Sequence, residues 1–532
     1  MSATPVPKPP GAFAPLRHGV FTVLWVATIL GNSGTFMRDV ASSWLVADMS
    51  ASPAAVALVQ AAGSLPIFLL AIPAGVLSDI LDRRRLLIAI QVALTAVSAL
   101  LMLLAATNEL TVEILISLTF VGGIGAALMG PTWQSIVPEL VPRADLRSAV
   151  ALNSLGFNIA RSIGPAVGGL LLASFGAALT YGADVASYLL VIAALVWWRR
   201  APKTDDALQE QFGGALRAGL RYARASRELH VVLLRAVVFF AFASAVWALL
   251  PLIARNLLGG DAGFYGLLLA AVGVGAIAGA LVLPAVRARL DGDGLLLAAA
   301  LIAAGSMAIL ALGPPQWLAI VVLLILGAGW IAALTTINGT VQAILPNWVR
   351  GRGLAIYLTV FNGAMAAGSI LWGAVADGVG VPVTLYIAGG GLTLLALAAH
   401  RFKLPGGEAD LTPSNHWPEP LVATPIEGDR GPVLVTIEYL VDQAQRPAFL
   451  KVLHRLSAER RRDGAYSWGL TEDAEDATRI VEWFLVESWI EHLRQHARVS
   501  KADADLQGEA RRFHTGDQPP VVRHLLGITA RR

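Results

Sequence analysis

Apolar residues dominate the first four hundred positions in long runs broken by short polar connections. Twelve such segments fall at about 19–47, 53–80, 86–106, 110–132, 145–174, 177–198, 230–257, 262–286, 294–312, 315–337, 352–376 and 381–400. Each is long enough to cross roughly 30 Å of hydrocarbon as a helix, which satisfies its own backbone polar groups in lipid. The first is too long for a signal-peptide core and reads as a retained helix. The pattern changes near residue 403. Residues 403–430 mix Pro405, Pro413, Pro418, Pro420 and Pro425 with polar residues and read as a linker. Beyond it, Val433–Leu440 alternates like a strand and 446–462 is an amphipathic basic helix. Residues 465–470 and 478–487 predict two more strands, 488–497 a second helix and Val521–Leu526 a fourth strand. The order β-α-β-β-α-β predicts a ferredoxin-like module.

The apolar region repeats itself. Gln134-Ser135-Ile136-Val137-Pro138 returns as Gln342-Ala343-Ile344-Leu345-Pro346. Phe157, Asn158, Gly169, Gly176 and Thr180 return 204 positions later as Phe361, Asn362, Gly373, Gly380 and Thr384. Two parallel repeats are a common transporter plan. The expected fold class is an all-α polytopic membrane protein of twelve transmembrane helices in two six-helix repeats, with a small C-terminal ferredoxin-like α+β domain. The expected divisions are a disordered N-terminus over 1–15, an N-terminal half over 16–198 and a linker loop over 199–229. A C-terminal half over 230–402, a linker over 403–430 and a soluble domain over 431–527 follow.

Composition excludes an ordinary soluble protein, since 56% of the 532 residues are hydrophobic and only 14% charged. With no cysteine there is no disulfide, thiolate metal site or cysteine nucleophile. The net charge of +3 matters less than where the bases lie. One set of connections carries Arg83, Arg84 and Arg85, Arg143 and Arg147, Arg287 and Arg289, Arg350 and Arg352, Arg401 and Lys403, and the basic loop 199–229. The alternate connections carry no Lys or Arg; only Arg255 falls on that side. The positive-inside rule then puts both termini and the C-terminal domain in the cytoplasm, with the protein multi-pass in the cytoplasmic (inner) membrane.

Between the second and third segments, Gly75, Asp79, Arg83 and Arg84 form a tight basic turn. Their spacing resembles G-x-x-x-D-[RK]-x-G-R-[RK] of the major facilitator superfamily, with Ile80 and Asp82 departing from it. In the fifth segment Gly156, Ala160, Gly164 and Gly168 share one helical face. Gly164-Pro165-Ala166-Val167-Gly168-Gly169 resembles the antiporter motif G-P-x-x-G-G, which that family associates with export; tight packing is the plainer reading. Gly123-Ile124-Gly125-Ala126-Ala127 resembles the end of R-x-x-Q-G-x-G-A-A. Thr119 and Gly122 replace its arginine and glutamine, so coupling through a fourth-helix arginine does not carry over.

Ionisable residues inside a span cost about 2.5–3.5 kcal/mol and normally face protein or a water-filled cavity. Arg161, near Asn158, is such a residue, read as cavity-lining with an ion pair as the alternative. Asp39, beside Arg38, is a candidate proton carrier or else a permanent partner of Arg38 or Arg161. Asp184 is a second protonatable candidate, and Arg235 reads as snorkelling to the surface. Leu16-Arg17-His18, Asp39-Val40-Ala41-Ser42-Ser43-Trp44, Gly130-Pro131-Thr132-Trp133-Gln134 and Pro138-Glu139-Leu140-Val141-Pro142-Arg143 together resemble the branch holding the enterobactin exporter and the transmembrane secretion effectors.

That resemblance, over about 16–402, implies a secondary active transporter. It would export siderophore-, antibiotic- or drug-like small molecules by alternating access, with protons as coupling ion. It implies no cofactor, no nucleic-acid partner and no enzyme activity. The tract Ser488-Trp489-Ile490-Glu491-His492-Leu493-Arg494-Gln495-His496 resembles the antibiotic-biosynthesis-monooxygenase type of dimeric α/β barrel. This implies self-association through the C-terminal domain and keeps a membrane-anchored monooxygenase as an alternative, alongside a facilitator-superfamily importer. His492 and His496 share a helical face, but no third ligand is evident in the sequence, so no metal is assigned. Trp489 and Leu493 read as a core edge or dimer contact.

Overall fold

The computed structural model describes residues 13–199, 212–346, 348–406, 414, 426 and 430–528; for 72, 76, 78–80, 143, 147, 212–218 and 497 only the backbone is described. Most of the first fifteen residues, the 200–211 stretch of the connecting loop and most of the 403–430 linker therefore lie outside the described residues.

The apolar runs become long helices: α1 Gly19–Met49, α2 Pro53–Ile80, α3 Arg83–Ala106, α4 Val112–Leu140 and α5 Leu146–Trp197. After the short α6 Phe212–Ala225 come α7 Arg227–Leu252, α8 Ala262–Arg287, α9 Gly292–Ala311, α10 Gln316–Ile344, α11 Arg350–Val379 and α12 Val381–Ala399. Eleven of these are long and apolar enough to span a membrane, and the twelfth is hidden inside α5. Its 52 residues would run about 78 Å at 1.5 Å per residue, twice what a bilayer needs. Helical geometry breaks at Gly176, with φ 81° and ψ 179°, so α5 is two spanning arms joined at a glycine.

The repeat is legible in the backbone. Gly380, which corresponds to Gly176, stands at φ 84° and ψ 159° before α12. Thr180 Oγ1 donates to the Gly176 carbonyl at 3.0 Å and Thr384 Oγ1 to that of Gly380 at 2.8 Å. Asn158 and Asn362 likewise donate to the carbonyls four residues back, Ser154 and Leu358. Each turn is thus built from the same glycine-threonine pair in both halves.

The chain forms two compact units. One comprises Met1–Asp205, Arg235–Ile337 and Leu358–Lys403; the other comprises Asp206–Leu234, Asn338–Tyr357 and Leu404–Arg532. The second unit contains a four-stranded antiparallel sheet in the order β2-β3-β1-β4, from β1 Val433–Leu440, β2 Ser467–Glu472, β3 Arg479–Val486 and β4 Val521–Leu526. This is the ferredoxin-like order. α13 Arg446–Asp463, α14 Trp489–Arg498 and α15 Lys501–Arg511 complete the unit's C-terminal domain. Val433, Val435, Ile437 and Tyr439 of β1 pack with Phe449, Leu453 and Leu456 of α13 and with Phe484 of β3. Trp489 joins that core, whereas Leu493 is exposed. α15 is an addition to the expected order, started by a capping box between Ser500 and Asp503.

Within this unit α6 holds on to the sheet domain. Arg221 pairs with Glu487 at 3.1 Å and Glu491 at 3.7 Å, and Arg462 lies 5.8 Å over the Tyr222 ring. Trp348, from the connection after α10, meets Tyr222 edge-on at 5.8 Å and carries the Arg498 guanidinium 4.4 Å above its ring.

Candidate functional site

In the first unit, α1 lets the second arm of α5 approach through its glycines. A Cβ on Gly31 would stand 2.7 Å from Val191, and one on Gly34 would stand 2.7 Å from an Asp184 carboxylate oxygen and 2.8 Å from Ser187 Cβ. That close approach brings together a polar network in the middle of apolar helices. Arg38 and Asp184 are buried, Asp184 completely. Arg38 reaches Asp39 at 3.1 Å and Asp184 at 3.8 Å, and donates to the Tyr188 hydroxyl at 3.1 Å. Ser98 of α3 donates to Asp184 at 2.6 Å, while Thr35 bonds Tyr188 at 2.8 Å and Ser42 bonds Tyr181 at 3.2 Å. Buried ions persist only where such partners compensate the lost water.

One guanidinium therefore serves two carboxylates. Asp184 is dry, whereas half of the Asp39 side chain is accessible. Two carboxylates thus face one guanidinium in the cluster. On the α4 side, a Cβ at Gly122 would lie 3.4 Å from the Arg38 guanidinium. Gly122 stands where the superfamily pattern has glutamine, and the space it leaves is taken by a cation supplied from α1.

Arg161 is not part of this network. Among the described residues it has no carboxylate within 4 Å; its guanidinium carbon lies 5.7 Å from the Trp247 ring centroid of α7, across the seam between the halves. The ion-pair alternative for Arg161 thus has no support here, and Asp39 pairs with Arg38. Asn158 donates within its own helix to Ser154 at 2.9 Å.

Three of the helix-5 glycines pack on α1 inside the N-terminal half, and a fourth reaches across the seam to α8. Cβ atoms at Gly156, Gly164 and Gly168 would meet α1, at Trp25 and Ile29, at Phe36, and at the Met37 Cα 2.6 Å away. At Gly169 a Cβ would stand 2.6 Å from the Ala262 carbonyl and 2.8 Å from Gly266 Cα of α8. Pro165 sits inside the same stretch. Toward the ends bare of Lys and Arg, Trp44 stacks on Tyr265 at 6.0 Å, and Ser52 donates to Asp377 at 3.0 Å. Arg255, the base on the unexpected side, lies in a π-helical turn after α7. It pairs with Asp48 at 3.0 Å and donates to the Ala47 carbonyl at the end of α1, where a helix favours a cation.

At the opposite end the basic turn ties one half together. Asp82 caps α3 by accepting from the Arg85 amide at 2.8 Å. Arg83 pairs with Glu139 at 2.8 Å, and Arg84 donates to the Leu195 and Val196 carbonyls that close α5, both at 2.8 Å. A Cβ at Gly75 would meet nothing within 4 Å. The Asp79 side chain lies outside the described residues.

Two features are absent from the sequence reading. Arg235 does not snorkel: it is buried, pairs with Asp293 at 3.2 Å and donates to the Ala399 carbonyl at 2.7 Å. In the soluble domain, β4 supplies a third histidine, His524, beside His492 and His496. Their separation of 28 residues and more hides the association; only the register of β4 reveals it.

Residues 10–532 match the transmembrane secretion effector family, so the match includes the sheet domain as well as the helices. The chain is 27% identical to the multidrug efflux pump Tap of Mycolicibacterium fortuitum, over 72% of this chain and 95% of that one. It is 26% identical to the staphyloferrin A transporter of Staphylococcus aureus over 48% of this chain, spanning somewhat under two thirds, 64%, of that relative. Among solved structures it resembles a bacterial homologue of the human lysosomal transporter Spinster in an inward-facing, unoccupied conformation. There the TM-score is 0.60 at 14% identity, over 73% of this chain and 96% of that one.

Proposed function

This chain belongs to the transmembrane secretion effector family of the major facilitator superfamily, and we propose that it is a proton-coupled exporter of small molecules. Its relatives, an efflux pump and a siderophore transporter by name, support drug- or siderophore-like amphipathic cargo. The base-rich connections support both termini and the sheet domain on the cytoplasmic side of an inner membrane. The observation that carries the coupling is the shared guanidinium. When Asp39, the wet carboxylate, takes a proton, Arg38 is released to close on Asp184; when it loses the proton, Arg38 is divided again. That exchange moves α1 against the second arm of α5, and the glycine seam lets α1 and α8 follow. The Gly75, Asp79, Arg83 and Arg84 turn closes the cytoplasmic end in the opposite state. Arg161, Asn158 and Trp247 line the cargo path, where a cation over an aromatic ring, with no carboxylate partner among the described residues, suits a molecule with both an apolar and an anionic part.

The test is uptake of a fluorescent efflux substrate into inverted membrane vesicles under an imposed proton gradient. Wild-type protein accumulates the substrate, and a protonophore abolishes the accumulation. Asp39→Asn accumulates none, yet still exchanges substrate down its own gradient. Gradient-driven accumulation by Asp39→Asn at the wild-type rate would remove Asp39 as carrier. Self-association, where it occurs, would use the sheet face opposite the helices, which carries Trp483, Leu485 and Leu525; a Leu525→Glu variant that leaves the detergent-solubilised mass unchanged would exclude that face.

A further inference from the structure

The soluble domain brings three histidines to one point. α14 starts at the Ser488 cap, whose side chain accepts from the Glu491 amide, and its regular turns put His492 and His496 one above the other on a single face. β4 pairs antiparallel with β1 so that His524 lies directly opposite Val435, a core residue. Residues directly opposite in a ladder share a face, so the register aims His524 at the helix-covered side. One ring nitrogen from each of the three then falls within 4.8 Å of the others.

The spacing has the dimensions of a coordination shell. The Nε2 atoms of His492 and His496 stand 3.2 Å apart. Two imidazole nitrogens bound to one zinc ion at 2.0–2.1 Å in tetrahedral geometry would be about 3.3 Å apart. His492 and His524 ring centroids lie 4.7 Å apart, and Trp489 covers both rings, at 5.5 and 6.1 Å. His492 is 1% exposed, and its Nδ1 is buried with no hydrogen-bond partner among the described residues. Three turn-mates and neighbours would pack as well with phenylalanine; an imidazole with an orphaned nitrogen pays a desolvation cost that packing alone does not return.

We propose that His492, His496 and His524 bind a divalent first-row transition ion, with zinc as the reference cation. Three imidazoles from the protein leave a fourth position for water or an added ligand. Imidazole sets suit zinc, copper, nickel and iron rather than magnesium or calcium. Burial, and then the neighbouring His496 and His524, push His492 down to about 3, and burial lowers His524 too. An ion binds the neutral imidazole through its free lone pair, so metal uptake competes with protons. The Gln495 amide, buried on the same turn without a hydrogen-bond partner, is at hand to orient the ring nitrogen facing away from the ion. The residue just before His492 on the helix, Glu491, pairs with Arg221 of α6. Metal occupancy would thus stiffen the helix that grips the connection between the two transporter halves.

The experiment uses full-length protein carrying a non-histidine affinity tag, stripped with chelator in detergent and titrated with Co²⁺. One equivalent per chain should give intense visible absorption of a tetrahedral ion, and Zn²⁺ should displace it stoichiometrically. His496→Ala and His524→Ala, neither at a fully buried position, should each weaken affinity more than about 100-fold, since losing even an orienting partner costs 10–100-fold. His454→Ala, elsewhere in the domain, should change nothing. Hydrogen exchange of α14 and β4 in the wild-type chain should slow on adding Zn²⁺, a readout independent of the variants. Absence of saturable cobalt absorption, or affinity unchanged in both His496→Ala and His524→Ala, would overturn the assignment.

Discussion

The two six-helix halves share a frame and differ in what they bury. Gly176 and Gly380 break their helices at matching positions with nearly the same dihedrals, and each is followed by a threonine bonding back to it. Inside the frame the chemistry diverges. The N-terminal half buries Arg38 and Asp184 in mid-span. The C-terminal half instead gathers rings: Phe240 meets Phe361 at 4.5 Å and Trp330 at 5.3 Å, and Trp247 meets Trp330 at 5.1 Å. Its buried Arg235–Asp293 pair sits at the base-rich end, where α9 begins. Repetition therefore conserved the turns that set helix length, while one half took up charge and the other apolar contact. Under the proposed proton-coupled export, the tasks of reading a proton and of reading the cargo would divide between the halves in this way.

The sharpest way to break that comparison is to remove one carboxylate from each half. Asp184→Ala leaves Arg38 dry with Asp39 as its one carboxylate partner among the described residues, and should cost about 3–5 kcal/mol. Thermal unfolding in detergent should fall accordingly and transport should disappear. Asp293→Ala should cost less, because Arg235 keeps the Ala399 and Phe402 carbonyls and sits near the span's end. Equal losses would mean that the two pairs do the same structural job.

The shared frame is tested by Gly176→Ala and Gly380→Ala. Both glycines occupy a region of positive φ and extended ψ that is nearly closed to other residues, at about 1–3 kcal/mol. The two variants should destabilise by similar amounts; a large disparity would show that the turns are not equivalent. The division of labour is tested by Trp247→Ala. It should raise the substrate concentration for half-maximal transport several-fold while leaving proton dependence intact, the reverse of Asp39→Asn. If both variants alter the same parameter, the division fails.

What the sequence made legible follows from the range of the interactions. Spanning helices, the repeat and the sheet order are written in local pattern and composition, and they appear as expected. The α5 seam was legible too, because Gly156, Gly164 and Gly168 lie within a few turns of each other. The partners were not. That Arg38 takes both Asp39 and Asp184, leaving Arg161 out, depends on how α1 crosses α5, 146 residues from Arg38 to Asp184 in sequence. Arg235 reads as a surface residue until Asp293 is brought against it. His524 joins α14 only through the register of an edge strand. α15 was missed because Lys501–Arg511 has little apolar periodicity, although Ser500 with Asp503 three residues on was an available start signal.

The smallest effect concerns one of the contacts that join the halves at the ends opposite the base-rich connections. Arg255 departs from the charge pattern because it holds α1, through Asp48 and the Ala47 carbonyl. Both it and Asp48 are solvent-accessible, so the pair should contribute no more than about 1 kcal/mol. Arg255→Ala should therefore leave thermal stability nearly unchanged. A contact made in one arrangement of the halves and lost in the other still biases their populations, and about 1 kcal/mol is a factor of roughly five. Because the chain has no cysteine, Ser50→Cys alone can report the opening. Its labelling by a membrane-impermeant maleimide should rise by up to that factor when Arg255 is removed. Unchanged labelling would reduce Arg255 to a cap on α1, and the bias between the halves would then rest on their other contacts, the Trp44–Tyr265 stack, the Ser52–Asp377 bond and the Gly169–Gly266 approach.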